Sequence, residues 1–312
     1  MAKRFGLRWL ALYLLLYNVD WLARLLPGLL WISRAWDALW QRLVLWIGPQ
    51  LLGLSPSIQV DLNGSGDKYA DYIQVGCMIL LAVVGALVWV WLDRSSKHDR
   101  LIYEILRVGV RYALAASMLL YGFGKVFHLQ MSFPGAHRLA EPYGDSSPMG
   151  LLWTFMGYSA GYSFFAGMAE VAGGALVLFR RTTTLGALVI AAVMLNIEIL
   201  NLCYDVPVKL YAAHLLFMAI VLLAPDLRRL ANLFVFNRPA QAVDLCRAWP
   251  KGWMGPATLA LKILVIAWLL YSTIVPDLGR MAEAKLQPAV DSSQYLLLSR
   301  GFHWISEAPF DR

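Results

Sequence analysis

Three sets of polar residues stand in an otherwise apolar chain at spacings that could do chemistry. The first is "FFAGMAEVAGGALVLF", where Gly167, Glu170 and Gly174 fall at i, i+3 and i+7 on one helix face. A carboxylate deep in an apolar segment is costly unless it faces a partner or water. The flanking glycines let a neighbouring helix approach closely. The second set is Glu198, Asn201 and Asp205, again at i, i+3 and i+7. Three hydrogen-bonding groups on one face should look into a helix bundle rather than at lipid. Asn196 points elsewhere and reads as a contact between helices.

The third set is "YDVPVK", with Tyr204, Asp205 and Lys209, followed by Tyr211 and His214 at i and i+3. Two compatible readings apply to it. In one, Asp205 caps the helix that Pro207 opens and Lys209 reaches to the interface. In the other, Tyr204, Asp205, Lys209 and Lys125 form an outward-facing polar site. Lys125 and His128 come from "YGFGKVFH", which ends an earlier apolar segment near the same outer surface.

Several chemistries lack their signatures. "GFGK" is not a phosphate loop, because the G-x-x-x-x-G-K-[ST] spacing is absent. The five histidines make no H-x-x-x-H or E-x-x-H pattern, so neither a zinc site nor a di-iron bundle is indicated. Only His214 lies where a membrane haem could use it, and there is no G-x-S-x-G elbow. Cys77, Cys203 and Cys246 form no C-x-x-C pair. The candidates for a polar or ligand site are therefore Lys125, Glu170, Glu198, Asn201, Tyr204, Asp205, Lys209 and His214. No residue is assigned as catalytic and none as a metal ligand.

The elements that must position these residues are membrane helices. Of 312 residues, 59% are hydrophobic and 15% charged, and the mean hydropathy is +0.57. A soluble domain carries roughly 25% charged residues. The expected fold class is all-α: a polytopic membrane protein of about seven transmembrane helices. The spans read as 9–31, 73–92, 107–127, 160–179, 184–204, 208–224 and 258–276. The first is weakest, because Asp20 and Arg24 interrupt it, although at i and i+4 they can pair. Its basic start lacks a cleavage site, so it reads as an uncleaved helix. The net charge of +7 comes from lysines and arginines that flank apolar segments, not from a basic stripe, so nucleic acid is not an expected partner. Their bias places the N-terminus in the cytoplasm and the C-terminus outside.

Between the spans, residues 33–72 read as an amphipathic interfacial helix followed by a turn-rich loop. The linker at 92–100 separates an N-terminal accessory unit, 1–100, from a core at 101–240. The last helix and an outside tail occupy 241–312. The connection 128–159 is too polar to span yet apolar enough to dip back toward the bundle. "LRRLANLFVFNRP" reads as an amphipathic segment on the cytoplasmic surface.

The block from about 107 to 240 resembles the DoxX-like family of bacterial integral membrane proteins. The likeness rests on "YGFGK", "AGMAEVAGGALVLF", the basic turn "RRTTTLGAL" and the short-looped pair around "NLCYDVPVKLYAAHLL". It implies a four-helix core in a bacterial inner membrane, with Lys125, Glu170 and Gly174 as its pattern residues. Some members are linked to membrane oxidoreductase systems. The resemblance thus implies a subunit of a quinone-linked oxidoreductase, with quinone as the candidate cofactor. The alternative is a non-enzymatic binding, transport or scaffold protein with a polar site at the outer end of the core. Expected partners are the lipid bilayer and membrane or periplasmic proteins that meet segment 33–72 or the tail.

Overall fold

A computed structural model describes residues 2–26, 28–53, 67–95, 97–240 and 254–286. Its helices are α1 (Ala2–Leu25), α2 (Leu30–Leu52), α3 (Tyr69–Leu92), α4 (Asp99–Val126), α5 (Ala136–Ala140), α6 (Pro148–Tyr158), α7 (Ala160–Leu178), α8 (Thr183–Cys203), α9 (Lys209–Leu223), α10 (Leu227–Phe234) and α11 (Met254–Leu286). Among the described residues there is no strand. Among the described residues, six stretches are long and apolar enough to cross a membrane: α3, α4, α7, α8, Lys209–Phe234 and most of α11. The chain is an all-α, multi-pass membrane protein.

The first expected span is corrected. The helix there is α1, which ends at Leu25 rather than continuing to residue 31, and α2 begins at Leu30 after Gly28 turns the chain at φ +84°. α1 is not among the six apolar helices, because Lys3, Arg4, Arg8, Asp20 and Arg24 lower its hydropathy. Its 24 residues still reach about 36 Å, and it lies along α3 and α4. The pair read from spacing is present, with Arg24 Nε 2.9 Å from Asp20. Arg24 also reaches Asp37 of α2 at 2.6 Å. α2 is amphipathic as expected, burying Trp40 and Val44 and exposing Trp31 and Trp46.

Arginines tie the helix ends together at the basic end of the molecule. Arg8 is fully buried. Its Nη1 donates to the Trp89 and Asp93 carbonyl oxygens at 2.9 and 2.7 Å, and its Nη2 to the Asp93 carboxylate at 3.0 Å. The Trp89 carbonyl also accepts from the Asp93 amide at 2.8 Å, so Arg8 adds a second donor there and places a cation at the negative end of the helix dipole. Arg111 of α4 does the same for α7, donating to the Val177 and Leu178 carbonyl oxygens at 2.9 and 2.7 Å.

The Asp93 carboxyl is held below its usual range, first by the Ser95 backbone N–H and then by Arg8, against some loss of hydration. A depressed carboxyl adds stability that is present above its unfolded value, near pH 4, and is lost as pH falls through the folded value. Hydrogen-exchange protection at the N-terminus of α1, taken relative to the intrinsic rate at each pH, should therefore fall as pH drops below about 4. Asp93→Asn should flatten that dependence. An unchanged profile in the variant would remove Asp93 as the sensor.

α4, α7, α8 and α9 close a ring in which each helix packs on two others. α4 and α7 run antiparallel at backbone contact. Gly122 faces Gly167, Met118 faces Gly174, and Arg111 reaches the last carbonyls of α7. A β-carbon on Gly167 would stand 2.6 Å from the Gly122 carbonyl oxygen and 2.8 Å from Lys125 Cβ. The glycines read as a close-packing face therefore form one. α8 joins through Gly186, whose β-carbon would stand 2.7 Å from the Val177 nitrogen. α1 lies against this ring and α11 packs on α4.

The connection between α4 and α7 does fold back on the bundle. His128, at φ +58°, reverses the chain after α4, and the Gly124 carbonyl oxygen accepts from both Leu129 and Gln130 amides. α6 opens on Pro148, with the Ser147 side chain capping Gly150 N–H at 3.1 Å. Its Leu152 and Met156 pack with Met131 and Val206 over the Lys125 end of the ring.

Candidate functional site: an intramembrane cavity with a buried ion pair

Between α6 and the ring lies a cavity of about 390 Å³. Its wall is mostly aliphatic and aromatic. The exceptions are Lys125 of α4, Gln130 after α4, Glu170 of α7, Asn196 and Asn201 of α8, and the hydroxyls of Tyr121, Tyr162 and Tyr211. Lys125 Nζ donates to Glu170 Oε1, and the two side chains are 8% and 2% exposed. The glycine contact between α4 and α7 makes this pair possible, because Gly167 lets the Lys125 stem pass against α7. Lys125 also lies in the last turn of α4, where a cation favours the helix dipole.

Three side-chain atoms around the cavity are buried and without a hydrogen-bond partner among the described residues. They are Glu170 Oε2, Gln130 Oε1 and Asn201 Nδ2. Buried polar groups are nearly always paired. Three orphans around one cavity mark a place where water or a ligand completes the bonding. Tyr211 is engaged elsewhere, donating to Ser117 Oγ at 2.9 Å.

Of the eight sequence candidates, Lys125, Glu170 and Asn201 meet on this wall. The other five do not. The outward site assembled from Tyr204, Asp205, Lys209 and Lys125 is corrected, because Lys125 is buried against Glu170. Asp205 does not extend the Glu198–Asn201 face. α8 ends at Cys203, and Asp205 sits in a left-handed turn at φ +50° with its side chain 85% exposed. Lys209 pairs with it at 2.7 Å, as their spacing allows. Tyr204 is exposed beside them. Glu198 is half-buried and does not line the cavity. His214 turns toward α1, where Tyr13 hydroxyl bonds Nε2, the Leu210 carbonyl oxygen lies 2.6 Å from Nδ1, and Tyr17 stacks at 3.9 Å. Both ring nitrogens are engaged, so as placed it offers no nitrogen to a haem. Asn196, read as a contact between helices, lines the cavity instead.

Asp205 is not the cap of α9 either. The Lys209 and Leu210 amides that open α9 donate to the two carboxylate oxygens of Asp67, both at 2.9 Å. Asp67 comes from the segment before α3, so the N-terminal helices are fastened to the core at this point. Asp67→Ala should cost about 0.5–2 kcal/mol, the usual range for a lost N-cap, while Asp205→Asn, which keeps a residue suited to the left-handed turn, should cost about a few tenths. Equal destabilisation of the two variants in detergent unfolding would contradict this assignment.

Sequence reasoning missed Gln130, Asp67, Arg8 and Arg111. Gln130 carried one usable signal, its place five residues after Lys125 in a connection expected to dip back. Asp67 carried none, since its partners lie more than 140 residues away.

The fold and cavity define a class: a polytopic helical membrane protein with a lined pocket between its four-helix ring and α6. Over 152 residues, 46% of this chain and 91% of the relative, it is 30% identical to the uncharacterized protein YwoB of Bacillus subtilis (strain 168), and the chain belongs to that protein's family. No family model matches the chain, and no solved structure matches it.

Proposed function

We propose that this chain is a DoxX-like membrane protein whose core holds a lipophilic small molecule by its polar head. The observation that carries this reading is the trio of unpartnered atoms on Glu170, Gln130 and Asn201 beside a buried ion pair. Each such orphan costs about 1–3 kcal/mol, which a bound head group offsets. The volume lies in the ordinary range for small-molecule sites, roughly 300–1,000 Å³. Phe165 and Tyr162 line the cavity while exposed on the flank of α7, so access from the lipid is open.

A quinone belongs to this ligand class through its quinol form, whose hydroxyl can accept from Lys125 and donate to Glu170. Bound there, it would make the chain a subunit of a quinone-linked membrane oxidoreductase. Binding or transport without redox chemistry is the alternative role of the same pocket. In either role the basic ends of the helices, with Arg8, Arg94, Arg107, Arg180 and Arg228, face the cytoplasm of a bacterial inner membrane. The cavity then lies toward the outer leaflet, with the N-terminus inside and the C-terminus outside. The surfaces for protein partners would be segment 33–72 and the tail 277–312, of which residues 54–66 and 287–312 lie outside the described residues.

Solvent extraction of the purified protein, followed by mass analysis and an oxidised-minus-reduced spectrum, tests this. A lipophilic molecule near one per chain is the expected result. A redox-active one places the chain in an oxidoreductase, and a redox-silent one in binding or transport. Extracts that hold bulk phospholipid alone would overturn the reading.

A further inference from the structure

We propose that the head group recognised in the cavity is a hydroxyl, which donates to Glu170 Oε2 and accepts from Lys125 Nζ. This rests on the reading of the cavity as a ligand site and names the ligand's chemistry. An ionised carboxylate has only acceptor sites, and Glu170 spends Oε1 on Lys125 while Oε2 is buried with no donor among the described residues. An ammonium has three donors, and Glu170 takes one of those of Lys125. The unmet demand is therefore one donor and at least one acceptor, side by side. A single hydroxyl supplies both.

Gln130 and Asn201 also line the cavity, each with an unpartnered amide atom. Each offers a donor and an acceptor, and which end faces the cavity follows the partner it meets. They can take up a second oxygen of the ligand without fixing its type. The carboxylate cannot adapt in this way, so it sets the selection. An acceptor-only head, such as an ether or ketone, leaves Oε2 unpaired. An anionic head meets Glu170 at close range. The rest of the wall, with Met118, Ile197 and Leu215, takes an apolar body.

The test uses two probes of nearly equal size and lipophilicity, para-hexylphenol and its methyl ether, para-hexylanisole. Each is titrated into the full chain in nanodiscs, with binding read by calorimetry against empty nanodiscs. A hydrogen bond to a charged group contributes about 1.5–3 kcal/mol, so the phenol should bind at least about tenfold more tightly than the ether. In Glu170→Gln, whose amide can donate as well as accept, that preference should fall to about threefold or less. Equal affinity of the two probes for the wild-type chain, or an ether that binds better, overturns the hydroxyl assignment while leaving a ligand site. Failure of both probes, with para-hexylphenol also unable to displace any co-purified molecule, overturns the cavity reading itself. If Glu170→Gln does not fold, Asn201→Leu serves as the second variant. It should weaken both probes alike and leave the phenol preference intact, and a lost preference there would move the selecting group from Glu170 to Asn201.

Discussion

Replacing Lys125 with methionine is expected to destabilise the core by about 3–5 kcal/mol, the usual cost of stripping one partner from a buried ion pair. Glu170 is 2% exposed and would be left charged, or forced to bind a proton, among the apolar side chains of α4 and α7. The double variant Lys125→Met with Glu170→Leu should recover most of that loss, because two apolar side chains of similar volume need no compensation. Reversible unfolding in mixed detergent micelles measures all three proteins. The pair would then be retained for what it binds rather than for stability. If the double variant is as unstable as Lys125→Met, the pair is a structural strut and its place on the cavity wall is incidental.

Gly167→Ala is the second large effect. A β-carbon there would press on the Gly122 carbonyl oxygen at 2.6 Å and on the Val126 nitrogen at 2.8 Å. Both are backbone atoms and cannot step aside as a side-chain tip could. Overpacking of this kind costs about 1–3 kcal/mol, occasionally more. The same β-carbon would also meet Lys125 Cβ at 2.8 Å. The strain therefore acts directly on the ion pair. A variant that folds should lose para-hexylphenol binding out of proportion to its lost stability. Gly161→Ala, with open space around its β-carbon, is the control and should match the wild type in both respects. Equal loss in the two variants would point to a general helix effect instead.

What was legible in the sequence was local and periodic. Gly167, Glu170 and Gly174 lie on one face because 3.6 residues make a turn, and that face does pack on α4. The Asp20–Arg24 pair and the return of the 128–159 connection were readable for similar reasons. The failures came where a distant part of the chain overruled a local rule. Asp205 has the right type and place for an N-cap, but Asp67 fills that role from before α3, and Asp205 is left in a left-handed turn. α1 carries charge enough to fail as an apolar span, yet Arg8 is fully buried because the carbonyls that end α3 receive it. Lys125 reads as part of an outward-facing site, since nothing nearby in sequence announces that Glu170 lies opposite. The candidate site was half visible for the same reason. Its charged pair sits on two recognisable faces, whereas Gln130 enters it through a turn that only His128 and Gly124 define.

The most direct test sets the cavity against the outer turn. Full-length wild type, Ala169→Phe and Asp205→Asn are purified in parallel, and the lipophilic molecule carried by each is quantified by mass analysis. Ala169 lines the cavity, and a phenyl ring there takes up part of its volume. Asp205 belongs to the exposed pair with Lys209. The account predicts a molecule near one per chain in wild type and Asp205→Asn, and little or none in Ala169→Phe. A molecule retained by Ala169→Phe and lost from Asp205→Asn would contradict it and return the site to the turn between α8 and α9.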